Sequence, residues 1–448
     1  MKTTLIKSDK RYLSELKEFK NGLPHGVINK TKCDVGGTYC AINCNHNYIV
    51  VCPFIDLVDS IERDPNNKYK VFKCYGGVRE HQFTSYIKEN KIRKIACTYD
   101  SLPKLIKWIT NKYLDLKDYH LLIDEYHTLL EDLDFRTDAI LNLIEEIKSF
   151  KHVSFLSATP IDVTFEPEFI KSLPHYKIEW ENVYKIHVER VQTGNVNKAL
   201  VRFIKLFLDE ELVIQDVNKK DSKVEELYIF VNSVQSMKQI AKTLDVTPED
   251  VKFCCSNVGR NRIIIGNDYK IESVNTPNKR INFFTKKCFQ GCNLFTNNGL
   301  VIVASDSKKE HSLVDVSTTM EQIVGRLRFN DEYQNIFRHI MIHFYSLSNK
   351  VMNESEFKEL MDKKEETAKN IISLNNKGNK SEKAAHVETL NFEPEIVSAT
   401  KDNSIEYNEM KRNSFIYKHN LKKYYSDNNN ILALYKKSDR FTYGYYQN

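Results

Sequence analysis

The stretch Leu121-Leu122-Ile123-Asp124-Glu125-Tyr126-His127 decides how this chain is read. Its apolar start predicts a buried strand, and the strand ends in two adjacent acids. In open α/β sheets, ligands bind beyond the carboxyl ends of strands. A carboxylate at such an end can hold Mg²⁺, because hard cations take oxygen ligands. Its neighbour can orient a water for attack on a γ-phosphate.

Working outward, short apolar runs recur on both sides. Tyr48–Cys52, Val71–Cys74 and Ile92–Cys97 precede the acids, and Val153–Leu156 follows. Amphipathic stretches such as Ser101–Thr110 and Ile140–Phe150 lie between them. Continuous apolar strands alternating with helices signal a parallel sheet covered on both faces. The pattern repeats at Leu227–Val231, Val251–Cys255, Ile281–Phe284, Leu300–Ala304 and His339–Tyr345. Periodicity is weakest between Pro174 and Ala199, which puts the break there. The expected domains are 1–185, 186–350 and a polar linker plus basic C-terminal region at 351–448. The fold class expected is α/β, with two tandem parallel-sheet domains and a smaller, mainly helical C-terminal region.

The 448 residues are 41% hydrophobic and 11% aromatic, which excludes a disordered chain. No run approaches the ~20 apolar residues of a membrane span. Met1–Lys10 has no apolar core, so the expectation is a cytoplasmic protein without a membrane partner. The ten cysteines, at 33, 40, 44, 52, 74, 97, 254, 255, 288 and 292, form no C-x-x-C pair. Most sit in apolar runs and read as reduced core residues rather than metal ligands. His120, His152 and His343 lie in predicted strands and read as core or edge histidines.

The balance of 66 Lys/Arg to 60 Asp/Glu leaves +6, and its distribution is uneven. From Lys411 to Asn448 eight cations face two acids, interleaved with seven tyrosines. Such interleaving suits single-stranded nucleic acid, with rings stacking on bases and cations meeting phosphates. It equally suits a small helical subdomain with a solvated basic face.

Two more segments carry chemistry. The strand at Val153–Leu156 ends in Ser157-Ala158-Thr159-Pro160, whose hydroxyls can bond the acids or His127. Gln322-Ile323-Val324-Gly325-Arg326-Leu327-Arg328 is expected on the first turns of a helix. From there its arginines could reach a phosphate across a cleft, as arginine fingers do.

In this order the segments resemble a superfamily 2 helicase of the DExH type, over about residues 20–350. Asp124 to His127 looks like motif II, Ser157-Ala158-Thr159 like the coupling motif III, and Gln322 to Arg328 like motif VI. Val51-Cys52-Pro53 to Leu57 resembles motif Ia, Cys97 to Leu102 motif Ib, and Ile281 to Gly291 motif V. The resemblance implies two RecA-like domains closing on ATP and Mg²⁺. It implies catalytic roles for Asp124, Glu125, His127, Gln322, Arg326 and Arg328, with Mg²⁺ held by Thr38 and Asp124. It places Pro53, Thr98, Ser101, Thr285 and Gly291 on DNA or RNA, single-stranded by expectation. Asn232, after the Leu227–Val231 strand, reads either as a motif IV-like nucleic-acid contact or as a turn.

One segment departs from the pattern. The phosphate loop should read G-x-x-x-x-G-K-[ST], with Lys reaching the β/γ-phosphates. The aligned stretch is Thr31-Lys32-Cys33-Asp34-Val35-Gly36-Gly37-Thr38. Gly36 and Thr38 are in place, but Gly37 stands where the lysine belongs. Either Lys30 or Lys32 supplies the missing charge, or the chain is a helicase-fold scaffold that binds nucleic acid without turnover. Richness in Asn, Lys and Tyr with a deviant loop reads as viral, which points to phage replication or recombination. The location is then the host cytoplasm, or the virion for the scaffold alternative.

Overall fold

The computed structural model describes residues 3–133, 136–181, 183–289, 293–328, 330, 332–392, 394–400 and 402–447. Eight strands form the first sheet: β1 (Thr3–Ser8), β2 (Gly26–Asn29), β3 (Asn47–Cys52), β4 (Val71–Cys74), β5 (Lys94–Thr98), β6 (Tyr119–Asp124), β7 (His152–Ser157) and β8 (His175–Trp180). Their order is β1-β8-β2-β7-β6-β3-β5-β4, parallel throughout. The second sheet contains β9 (Ile186–Gln192), β10 (Glu226–Val231), β11 (Val251–Cys254), β12 (Ile281–Phe284), β13 (Gly299–Ser305), β14 (Ile340–Tyr345) and β15 (Phe441–Gln447). It is also parallel, in the order β11-β12-β10-β13-β14-β9-β15.

These are two tandem parallel sheets with a mainly helical C-terminal region, the α/β fold class expected from the sequence. All ten of those runs fall on strands, because a strand covered on both faces is predominantly apolar along its length. In β3, for instance, every residue from Tyr48 to Cys52 is fully buried. The apolar runs do not mark β1, β2, β8, β9 and β15. β2 reads Gly-Val-Ile-Asn, and β8 and β9 mix buried with partly exposed positions, so these three present no long apolar run.

The order of the first sheet positions the site. β2, β7 and β6 are successive neighbours, with Asn29 opposite Ser157 and Leu156 opposite Asp124. Three carboxyl ends, from distant parts of the sequence, therefore meet side by side.

Five helices bear on the site and on how the two sheets are joined: α1 (Gly37–Asn43), α2 (Thr319–Val324), α3 (Glu354–Lys377), α4 (Glu409–Tyr424) and α5 (Asn428–Lys437). The polar 351–410 stretch carries α3 and a second exposed helix, Lys380–Thr389. α4 bridges the sheets. Its Met410 is buried in the core of the first, while Tyr417 packs edge-on against Phe165 and donates to Asp315 Oδ2 at 3.1 Å. Tyr425 and Tyr435 are fully buried in the core of the second, and β15 pairs with β9 beyond them. The Arg190 guanidinium lies 5.8, 5.5 and 5.3 Å from the ring centres of Tyr435, Tyr443 and Tyr445. Packing thus accounts for most of the C-terminal aromatic content, although Tyr446 is 61% exposed. Among the described residues no helix is long and apolar enough to cross a membrane.

The histidines sit where the strand pattern put them. His343 is fully buried between Ser305 Oγ (3.0 Å) and Tyr435 Oη (2.9 Å), and burial followed by the Arg190 charge pushes its pKa down to about 3. His120 stacks on His152 at 3.8 Å and on His46 at 4.6 Å. Burial, then the neighbouring histidines, pushes its pKa down to about 4. An unfolded histidine titrates near 6.5, so the unfolded chain takes up these protons first and stability falls as pH drops from about 6.5 toward 4. Urea midpoints at pH 7.5, 6 and 5 should decline in that order. His120→Phe, which keeps a stacking ring, should flatten the decline; an unchanged slope would remove the stacked histidines as its source.

Candidate functional site

Asp124 ends β6, and the chain turns there through Glu125, whose φ is +50°. That left-handed turn lets the Glu125 N–H donate to Asp124 Oδ1 at 3.0 Å. Asp124 Oδ2 accepts from Thr38 Oγ1 at 2.7 Å, and Thr38 lies in the first turn of α1. The hydroxyl and carboxylate so joined are the oxygen donors a divalent cation takes, which makes the pair fit for Mg²⁺.

Glu125 is buried and held from both domains. Lys30 Nζ, just beyond β2, donates to Oε1 at 3.3 Å. Gln322 Nε2, from α2 of the second domain, donates to Oε2 at 3.2 Å and to Thr159 Oγ1 at 2.9 Å. His127 Nδ1 is 3.5 Å from Glu125 Oε2 and 2.8 Å from Ser157 Oγ. Ser157 Oγ in turn accepts the Thr159 N–H at 3.0 Å, and Ala158 is buried between them.

Burial and charge compete at these acids. Burial pushes the Asp124 carboxyl up, Lys30 pulls it back, and the adjacent Glu125 charge leaves it above its ordinary value. Burial also pushes Glu125 up, but Lys30, His127 and Arg326 outweigh it and hold that carboxyl below its ordinary value. Burial alone would lower the Lys30 pKa; Glu125 and Asp124 raise it instead. The result is an ionised carboxylate paired with an ammonium, the state a buried charge requires. Lys32 is elsewhere: burial, then the charges of Arg440 and Arg11, push its pKa down.

The phosphate-loop segment runs into α1 through Gly36 at φ +76°, and Cys40 N–H bonds to the Gly36 carbonyl at 3.0 Å. Gly37 is packed against the neighbouring strand. A Cβ built there would lie 2.5 Å from Leu156 Cδ2. Beside the loop is a cleft of about 220 Å³, lined by Gly36, Thr38, Asp124, Glu125, Arg326 and Arg328 among others.

The two arginines are not on the first turns of a helix, as expected. α2 stops at Val324, so Gln322 lies in the helix while both arginines lie past its end. The helix stops where the domains touch: a Cβ at Gly325 would come within 2.8 Å of Cys33 Cβ. From there Arg326 Nη2 reaches Gln322 Oε1 at 3.2 Å and Cys33 Sγ at 3.7 Å. Arg328 Nη1 is 3.3 Å from Asp34 Oδ2, and its Nε donates to Asn293 Oδ1 at 3.0 Å.

The nucleic-acid candidates lie at other carboxyl ends. Pro53 follows β3, and its carbonyl accepts from Arg136, which also pairs with Asp100. Thr98, the last residue of β5, and Ser101, just after it, bond each other at 3.0 Å and are buried. Asn232, after β10, accepts the Lys286 N–H at 3.0 Å and donates to the His311 carbonyl at 2.6 Å. Thr285 follows β12 and is buried. Gly291 lies outside the described residues. Between the two groups Lys286 spans to Asp132 (2.8 Å) and Glu131 (3.2 Å), and Lys287 to Asp56 (3.1 Å).

The structure therefore gathers Lys30, Thr38, Asp124, Glu125, His127, Ser157, Thr159, Gln322 and Arg326 into one network and leaves Lys32 outside it. Sequence reading missed Cys33, Asp34, Asn293, Arg136 and Lys286 as neighbours of these groups, and Trp180, whose indole N–H donates to the Lys30 carbonyl at 2.8 Å. Cys33 and Asp34 stand inside the phosphate-loop stretch, while the others carry no local signal.

No family model matches the chain, and no curated protein does. In fold it is similar to the Mycobacterium smegmatis helicase Lhr bound to ssDNA and AMP-PNP, at 15% identity and a TM-score of 0.45, over 72% of this chain and 44% of that one. The chain thus spans less than half the length of Lhr. It is similar to the DEAD-box helicase Mss116 bound to ssRNA and UDP-BeF, at 14% identity and a TM-score of 0.46, over 83% and 80% of the two chains. It is also similar to an S. cerevisiae Dbp5 variant bound to RNA and ADP BeF3, at 12% identity and a TM-score of 0.43, over 75% and 82%.

The Gly37 contact is directly testable. Gly37→Ala should cost roughly 1–3 kcal/mol by overpacking Leu156. Thermal melts should show the loss, and Leu156→Ala in the same chain should recover part of it. A Gly37→Ala melt identical to the parent would mean that Leu156 yields freely.

Proposed function

We propose that this protein is an ATP-dependent helicase or translocase of the superfamily 2 type, acting on DNA or RNA. The observation that carries the reading is Glu125, a carboxylate held between Lys30 of one domain and Gln322 of the other. A group placed to orient the attacking water is completed only when both domains contribute, which suits a motor whose closure and chemistry are coupled.

Each neighbour takes a role from its position. Thr38 and Asp124 would hold Mg²⁺, which when bound neutralises charge on the β- and γ-phosphates. Arg326 and Arg328, lining the cleft from the second domain, would stabilise charge that develops in transfer. Gln322, Thr159, Ser157 and His127 form a continuous path from the second domain to Glu125, suited to reporting the nucleotide state. Lys30 would supply the ammonium that the loop lacks at Gly37. The strand ends carrying Pro53, Thr98, Ser101, Asn232 and Thr285 would face a single strand of DNA or RNA. The functional units would be 1–185 and 186–350, with 351–448 bracing them, and the setting phage replication or recombination in the host cytoplasm.

A second reading has its own observation. Lys30 is already engaged by Glu125, so a chain without Lys at 37 could bind nucleic acid and leave ATP intact. ATP hydrolysis with Mg²⁺, with and without single-stranded DNA or RNA, separates the two. The motor predicts turnover that rises with nucleic acid. Glu125→Gln and Lys30→Met should each lower kcat by roughly 10²-fold or more, and Lys32→Met by no more than about twofold. No turnover, with salt-sensitive strand binding intact, would establish the binding module instead.

A further inference from the structure

Of the two residues that aim Lys30, one opens the phosphate-loop stretch and the other lies outside every segment with a helicase-motif counterpart. Lys30 lies just past the end of β2, where the chain makes a three-residue turn closed by the Lys32 N–H on the Lys30 carbonyl at 2.6 Å. Thr31, at its centre, has a φ of +50°. A β-branched residue in the left-handed region is an outlier that persists only when its surroundings over-determine it.

Four contacts do so here. The Lys30 N–H donates to the Ser157 carbonyl at 2.9 Å, which fixes the turn to β7. The Thr31 N–H donates to Asn29 Oδ1 at 2.9 Å. The Thr31 hydroxyl donates to the Ile178 carbonyl at 2.6 Å, which fixes it to β8. The Trp180 indole N–H, at the end of β8, donates to the Lys30 carbonyl at 2.8 Å. Trp180 is only 7% exposed and packs in the apolar core beneath α1. That carbonyl thus accepts twice, and the residue whose ammonium meets Glu125 is gripped at both its N–H and its C=O.

We infer that Trp180 and Thr31 are positioning residues that hold a strained turn so that the Lys30 ammonium projects onto Glu125. In a phosphate loop of the ordinary pattern the lysine is placed by the loop and its helix. Here position 37 is closed to a side chain by Leu156, so the cation comes from the neighbouring strand end and its aim comes from β8. The device acts through Lys30: without Trp180 the ammonium loses its direction, not its charge. The kinetic part of this inference rests on the proposed ATPase activity; the structural part does not.

The test uses the full-length chain with Trp180→Phe, which keeps an aromatic ring and removes only the N–H donor. Thr31→Val, isosteric and lacking the hydroxyl donor, stands in if that variant fails to fold. In single-turnover ATP cleavage Trp180→Phe should slow the chemical step by roughly tenfold, while affinity for a non-hydrolysable ATP analogue shifts by less than about threefold. In a Lys30→Met background it should add nothing, because both changes remove the same interaction. Independently of activity, amine labelling by an N-hydroxysuccinimide ester, read residue by residue by mass spectrometry, should show Lys30 reacting several-fold faster in Trp180→Phe. Unchanged Lys30 labelling, or losses that multiply in the double variant, would overturn the assignment. A parent chain with no ATP turnover but with increased labelling in the variant would overturn the ATPase reading and leave the positioning device standing.

Discussion

A carboxylate taken out of water must be neutralised or compensated, and the arrangement around Glu125 follows from that requirement. Its two oxygens face in different directions, one to the Lys30 ammonium and one to the Gln322 amide. The first partner belongs to the sheet that carries the acid; the second crosses from the other domain. Holding the acid ionised and holding the domains together are therefore one interaction. Opening the cleft would return half of the Glu125 coordination to solvent, so the protonation preference of the acid and the position of the second domain are linked.

The rest of the interface repeats the arrangement with less burial. Arg328 meets Asp34, Lys286 meets Asp132 and Glu131, and Lys287 meets Asp56. In each pair the cation comes from the second domain and the acid from the first. Charge pairs of this kind set register more than they add stability, since attraction is offset by desolvation and side-chain ordering. The apolar contribution comes from α4, which places Met410 in one core and leads directly to Tyr425 in the other. The C-terminal region is therefore a brace across the two sheets, and its aromatic residues are mostly spent on packing.

The Gly37 departure has a steric counterpart. Leu156 occupies the space where a side chain at 37 would begin, and Leu156 is one register position from the end of β7 that receives Lys30. A small residue in the loop lets α1 sit against β7. A cation from β2, turned by Thr31 and tethered by Trp180, then occupies the neighbourhood of the acids.

The sequence alone determined the layered α/β architecture, because strands buried on both faces are written as near-continuous apolar runs, and ten such runs are readable. Reading the strand ends also singled out Asp124 and Glu125, while Thr38 was pointed to by the helicase resemblance and Gln322 by the segment that runs to Arg328. Only the tertiary structure shows which of Lys30 and Lys32, two positions apart and equivalent in any local reading, meets Glu125. Strand order put β2 beside β7, and the turn at Thr31 sends the Lys30 ammonium to Glu125. Trp180 was illegible for the same reason: its partner is 150 residues away, and no spacing encodes a bond between the ends of strands that become neighbours only in the sheet.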